Sequence, residues 1–168
     1  MVRHAHEVDY SDYCGGGFRF RHELARLGTM AGISINRQKR LHHEIAIALE
    51  KYENEGGLAL IVHHSAGALD AKRVLKYAPI ASKNATKTGA HREAAAYLGT
   101  ALKFVDEAET ELAAQLYEDW AYETGLTLRI DEDVIEARRH AITLWRALKR
   151  KDKVGENLRC LSRLHWYR

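Results

Sequence analysis

Apolar residues recur at steps of three and four from about residue 38 to the end of the chain, which is the spacing of helices with one buried face. Leu41, Ile45 and Leu49 form the first such stripe, and the last one reaches Trp166. The 168 residues include one proline, whereas average usage would give about eight, so long helices can run without interruption. The pattern predicts an all-α protein.

Capping and turn residues mark where the helices begin and end. Gly56-Gly57 interrupts the pattern after the first stripe, and Gly89 is typical of a helix end. The carboxylate of Asp70 can accept a hydrogen bond from the first turn of the helix that follows it. Pro79 lies inside that same helix, where a proline removes a hydrogen bond at about 3 kcal/mol, so we predict a kink or a break there.

Short connections between successive stripes predict that neighbouring helices pack antiparallel. Abundant alanine allows close approach, and a row of such hairpins is typical of an α-solenoid. One tetratricopeptide-like unit can be traced over residues 112–148, close to the repeat length of about 34 residues. We therefore predict an all-α, tetratricopeptide-like α-solenoid of antiparallel helical hairpins, with about seven helices after a short N-terminal strand or turn at residues 18–21.

Cysteine usage and hydropathy suggest a protein of the cytoplasm. Cys14 and Cys160 can form at most one disulfide, no C-x-x-C pair is present, and we expect both as reduced thiols. No apolar run approaches the roughly 18 residues of a membrane span. Residues 1–7 lack the apolar core of a signal peptide.

Charge is distributed unevenly along the second half of the chain. Residues 106–136 hold eleven acidic side chains and one basic one, whereas residues 138–168 hold ten basic and two acidic ones. The two segments can pair across antiparallel helices, which leaves solvated surfaces without a further role. The alternative is a basic face on residues 138–168 that binds nucleic acid.

The sequence lacks the motifs of common catalytic sites. It contains no G-x-x-x-x-G-K-[ST] phosphate loop, no G-x-G-x-x-G and no G-x-S-x-G. The histidine pairs His42-His43 and His63-His64 are adjacent, and adjacent residues on one helix do not face each other as the ligands of H-E-x-x-H do. We predict no enzymatic activity, no cofactor and no metal site.

Five segments together resemble a family of bacterial regulators. They are residues 18–26, 74–79, 89–95, 144–148 and 155–166, and their order and spacing agree over nearly the whole chain. The chain is similar to the helical arm of signal-transduction ATPases with numerous domains (STAND ATPases), most of all LuxR-type transcriptional regulators. The resemblance implies a tetratricopeptide-like arm that senses inducers or partner proteins and passes the signal to an ATPase domain.

The resemblance also implies a domain organisation and one nucleotide-sensing residue. His22 matches the histidine that contacts the ADP phosphate in related ATPases. The ATPase and DNA-binding domains of the family have no counterpart in these residues, so we expect that the chain alone neither binds nor hydrolyses ATP. The domains are then a flexible segment (1–17), a remnant resembling the end of a winged-helix domain (18–37) and the helical-repeat domain (38–168).

We expect a non-enzymatic module whose concave face binds a protein, a peptide or a small inducer. The candidate partner-binding residues are polar and aromatic side chains between the stripes, with solvated helix faces as the alternative: Tyr97, Tyr117, Tyr122, Arg138 and Arg139. The apolar stripe of the last helix, Val154, Leu158, Leu161 and Trp166, predicts core packing on one side and self-association through a terminal helix.

Overall fold

The computed structural model describes residues 22–51, 57–128 and 131–166, and no strand occurs among them. The predicted strand at residues 18–21, the segment 1–17 and Cys14 lie outside this range. The described residues form eight α-helices and one short 3-10 helix (Val105–Glu107). The α-helices are α1 (Glu23–Ala31), α2 (Ile35–Glu50), α3 (Leu58–Gly67), α4 (Ala71–Lys87), α5 (His91–Leu102), α6 (Thr110–Leu126), α7 (Glu132–Ala147) and α8 (Lys151–Trp166).

Local residues set the helix boundaries largely as predicted. Asp70 accepts the backbone N–H of Arg73 at 3.1 Å and caps α4. Gly89 adopts φ +75° between α4 and α5, a conformation that is strained for residues with a side chain. The predicted boundary at residue 38 falls inside α2, which begins at Ile35 after Ser34.

Helix α4 continues through Pro79, so of the predicted kink or break the break is wrong, whereas the kink stays a prediction. The proline lies next to Tyr77 and Ala78, which are both buried, and Ala81 is buried on the following turn. Burial of this face offsets the hydrogen bond that the proline removes, because helices in proteins owe most of their stability to packing of an apolar face.

Each helix from α3 to α7 packs chiefly against the helices that precede and follow it in the chain, while α2 packs on α3 and α8 packs on α7. The main core lies among α3, α4, α5 and α6, and alanines on α4 and α5 bring the helices close together. Its fully buried members are Ile61, Val62, Val74, Tyr77, Ala78, Ala81, Leu98, Ala101 and Leu116. The all-α class is therefore confirmed, and whether the row is a tetratricopeptide-like solenoid stays a proposal.

The inward face of α8 differs from the predicted stripe. Asn157 is fully buried, whereas Leu158 is 43% exposed and Trp166 is 86% exposed. The Asn157 amide donates to Glu118 on α6 at 2.9 Å and accepts from Arg138 on α7 at 2.8 Å. The prediction that Leu158 and Trp166 pack in the core is therefore wrong. A polar network around Asn157, and not a row of apolar side chains, holds this face of α8 against α6 and α7. Trp145 on α7 is buried as predicted.

Candidate functional site

A groove of about 490 Å³ lies between one face of α5 and the second half of α6. On α5 it is bordered by Arg92, Ala95, Ala96, Gly99, Thr100 and Lys103, and on α6 by Trp120, Thr124 and Thr127. Ala94, Leu98 and Ala101 occupy the opposite face of α5, where they are buried in the core. Helix α5 therefore uses one face for packing and leaves the other as a groove wall.

Small residues make room for the indole that borders the groove. A Cβ on Gly99 would lie 3.1 Å from Nε1 of Trp120, closer than most contacts of real Cβ atoms. Ala95 and Ala96 add little bulk beside it. Because these three residues of α5 carry little or no side chain, the aromatic ring of Trp120 borders space that an extended chain segment can occupy.

Two cations flank this groove at opposite ends of α5. Arg92 and Lys103 are exposed, and neither has an ion-pair partner among the described residues. They are separated by about 16 Å along the helix axis, given the rise of 1.5 Å per residue. Since surface charges of both signs are common elsewhere on the chain, two uncompensated cations at one groove favour an anionic occupant.

Unused polar groups face the same groove. Thr124 is 3% exposed, and its Oγ1 has no hydrogen-bond partner in the described part of the chain. Trp120 Nε1 likewise makes no hydrogen bond to a described residue. The hydroxyls of Thr100 and Thr127 donate to carbonyl oxygens of their own helices, at 2.9 and 2.7 Å, and keep lone pairs free to accept. The Thr124 hydroxyl is buried, so the groove offers a backbone the Trp120 Nε1 donor and the hydroxyl oxygens of Thr100 and Thr127 as acceptors.

A buried carboxylate holds the groove walls in place. Glu123 on α6 accepts from the Thr86 hydroxyl at 2.9 Å and from Nδ1 of His91 at 2.8 Å. Thr86 belongs to the end of α4 and His91 is the first residue of α5. The contacts join three helices next to Thr124 and fix the separation of α5 and α6.

The residues predicted to bind a partner do not converge on this groove. Tyr97 and Tyr117 are half-buried, and Tyr117 stacks on His140 with ring centroids 4.9 Å apart. Tyr122 is exposed, and Arg139 is exposed and paired with Glu132 and Glu136.

Arg138 was expected on the surface, and this expectation is wrong because the residue is only 4% exposed. Burial lowers the pKa of its guanidinium, and Nη1 donates to Asn157. Arg138 and Tyr122 border a second groove, of about 700 Å³, between α6 and α8.

His22 lies at the N-terminus of α1, exposed, with no side-chain capping hydrogen bond. A nucleotide-sensing role for it stays a prediction from the resemblance. Cys160 is half-buried on α8, and its expected reduced state stays a prediction.

Part of the basic segment 138–168 pairs with carboxylates of residues 106–136, the kind of contact that one of the two charge hypotheses expects. Lys153 on α8 lies 2.9 Å from Glu118 on α6, and Arg150 lies 3.7 Å from Glu111. Arg159 pairs with Glu156 on its own helix. These contacts neutralise part of the basic segment.

One group of side chains could hold a metal ion. His42 of α2 meets His63 and His64 of α3, with one ring nitrogen from each within 4.8 Å of the others. The sequence prediction compared only adjacent histidines on one helix, and it missed the third one, which tertiary packing supplies.

The groove residues were missed as well, although a signal was available. Ala95, Ala96 and Gly99 form a strip of small residues with Arg92 before it and Lys103 after it. Helical spacing places all five on one face.

The fold and the groove define an all-α protein built from a row of consecutively packed helices. No family model matches the chain, and neither the curated proteins nor the solved structures include a match to it. None of the described helices combines the length and the apolar character needed to cross a membrane.

Proposed function

We propose that the protein is a non-enzymatic helical-repeat module that binds an extended, acidic peptide segment of a partner in the α5–α6 groove. The observation that carries the proposal is the pair of uncompensated cations, Arg92 and Lys103, on either side of Trp120. Charge complementarity selects the class of partner, and the indole of Trp120 contacts its chain.

Binding fits the groove better than catalysis does. The side chains that border it are Arg, Lys, Ala, Gly, Thr and Trp, so it offers no carboxylate or imidazole as a general base. The small side chains of Ala95, Ala96 and Gly99 also leave the groove open along one side, where an extended peptide can bind. In the regulator resemblance this groove would be the sensing surface of the arm, and that assignment rests on the resemblance alone.

The geometry sets the spacing of acidic groups in the partner. An extended chain spans about 3.3 Å per residue, so two carboxylates that meet cations about 16 Å apart stand about five residues apart. We expect a fluorescein-labelled peptide with two glutamates at this spacing, in a Gly/Ser/Ala background, to bind in a fluorescence anisotropy titration. Its glutamine analogue should bind more weakly, and so should a peptide whose glutamates are about two residues apart.

Variants locate the binding site. Arg92→Glu and Lys103→Glu should each weaken binding up to about fivefold, because an exposed ion pair contributes up to about 1 kcal/mol. Ala96→Trp should weaken it by filling the groove without a change of charge. Arg146→Glu, an exposed position on α7 with the same charge change, is the matched control. Equal binding by all four variants, or by the glutamine analogue, would overturn the proposal.

The nucleic-acid alternative depends on a smaller cluster than the sequence suggested. Arg146, Lys149 and Lys151 meet at the turn between α7 and α8, where Arg150 pairs with Asp152. A gel shift with duplex DNA at low salt tests this hypothesis, and Arg146→Glu should abolish any shift. The peptide hypothesis thus predicts weaker binding for Arg92→Glu and unchanged binding for Arg146→Glu. The nucleic-acid hypothesis predicts the reverse.

A further inference from the structure

Three histidines from two helices converge at the α2–α3 interface. The Nδ1 atoms of His42 and His64 are 2.9 Å apart, and the ring of His63 lies 5.1 Å from that of His64 between centroids. One nitrogen from each ring lies within 4.8 Å of the other two. His42 and His64 are half-buried, and His63 is exposed.

Packing between the two helices creates this convergence. His63 and His64 diverge by about 100° around α3, as neighbours on a helix do, and His42 approaches from α2 to close the gap between them. Gly67, one turn after His64, leaves the space that the His42 ring occupies. A Cβ at Gly67 would lie 2.6 Å from Nδ1 of His42.

We propose that His42, His63 and His64 bind a divalent transition-metal ion, with Zn²⁺ as the ion that suits the site best. Three imidazole nitrogens would occupy three positions of a tetrahedron. The fourth position would face an adjoining groove of about 590 Å³, which is bordered by apolar side chains such as Met30, Ile33 and Leu41. This site is separate from the α5–α6 groove, and it goes beyond the proposed function.

The distances suit the coordination sphere. Zn–N bonds of about 2.0–2.1 Å place ligand nitrogens about 3.3 Å apart in a tetrahedron. The pair at 2.9 Å and the remaining separations of up to 4.8 Å require only small rotations of the rings. The exposed His63 has the freedom to make the larger of these adjustments.

The donor set selects the class of metal. Imidazole nitrogens suit zinc, copper, nickel and cobalt, whereas calcium and magnesium prefer oxygen ligands. Burial, and secondarily the charge of the neighbouring imidazoles, lowers the pKa of both His42 and His64. Their neutral form, which carries the lone pair for the metal, therefore prevails at neutral pH.

Zinc titration of the untagged, EDTA-treated chain against a chromophoric chelator tests the proposal. We expect one tight site per chain. Because even changes to outer-shell partners reduce metal affinity about 10- to 100-fold, His42→Ala, His63→Ala and His64→Ala should each reduce it more than about tenfold. His63→Ala changes an exposed side chain, so its effect does not depend on core stability.

Two further variants test whether zinc affinity depends on the arrangement of these three histidines or only on the number of histidines in the chain. His43→Ala removes the neighbouring imidazole on α2, which lies 3.6 Å from Asp70 and outside the cluster, and it should leave zinc affinity unchanged. Gly67→Ala keeps all three ligands but displaces the His42 ring, and it should weaken binding about tenfold.

Cobalt supplies a spectroscopic readout of coordination. Co²⁺ in the wild-type chain should give the intense visible bands of a tetrahedral ion, and His63→Ala should lose them. Equal zinc affinity in the wild type, His63→Ala and His43→Ala, or cobalt bands typical of an octahedral aquo ion, would overturn the proposal. Peptide binding in the α5–α6 groove is measured with a different probe, so either proposal can fail alone.

Discussion

Replacing Asn157 by leucine tests the polar network that fixes α8. The side chain is fully buried, accepts from Arg138 at 2.8 Å and donates to Glu118 and to the Lys153 carbonyl, both at 2.9 Å. The replacement leaves the buried Arg138 guanidinium, whose Nε already lacks a partner, without its hydrogen bond to α8. Leaving a buried charged group without its hydrogen-bond partner costs about 1.5–3 kcal/mol.

The assay is thermal unfolding followed by circular dichroism. At about 2 kcal/mol, Asn157→Leu should lower the melting temperature by about 4–8 °C, since each kcal/mol shifts a chain of this size by about 2–4 °C. Leu158→Ala is the matched control on the next residue. Leu158 is 43% exposed, so we expect a loss below about 1 kcal/mol.

A double variant then separates the buried charge from simple loss of packing. Replacing both partners of a buried polar pair by apolar residues is often close to neutral. Arg138→Met/Asn157→Leu should therefore be more stable than Asn157→Leu alone, by about 1.5 kcal/mol or more. If the effects of the two single changes simply add, or if Leu158→Ala is the more harmful change, the reasoning about this network is refuted.

Two further predictions concern acid stability and assembly. The hydrogen bond from Tyr77, and then Arg73, hold the pKa of Glu50 below its ordinary 4.5, so this contribution to stability is complete above pH 4.5 and is lost as the pH falls through the lower folded-state value. Glu50→Gln should be less stable than the wild type in urea unfolding at pH 7, with a difference that shrinks towards pH 3; a difference that stays constant with pH would contradict this. Exposed Leu158 and Trp166 predict concentration-dependent self-association in light scattering that Trp166→Glu reduces, whereas a strictly monomeric wild type would count against it.

The sequence alone predicts the helices well, because their apolar periods and caps are local. Asp70 caps α4, Gly89 ends the turn after it, and Trp145 is buried, all as expected. Pro79 shows the limit of local reasoning. Its intrinsic cost predicts a kink or a break, but the buried face around it keeps α4 continuous.

Features that depend on contacts between helices cannot be predicted from the apolar pattern of one helix alone. The sequence of α7 alone predicts that Arg138 is exposed, but the fold buries it against Asn157 of α8. The histidine cluster needs His42 from α2 beside a pair on α3, and the room for its ring depends on Gly67. These side chains are close in space but distant in sequence, so no periodicity of one helix predicts them.

Nuclear magnetic resonance of the three tryptophan indoles tests the α5–α6 groove most directly. Trp120 borders the groove, Trp145 Nε1 donates to Glu118 at 2.8 Å in the core, and Trp166 is exposed at the end of α8. On titration with the peptide that carries two glutamates about five residues apart, the indole N–H signal of Trp120 should shift and saturate while the signals of Trp145 and Trp166 stay in place. In Arg92→Glu the shift should be much reduced at the same peptide concentration. A Trp120 signal that does not move while peptide binds, or a shift of Trp166 alone, would contradict the account.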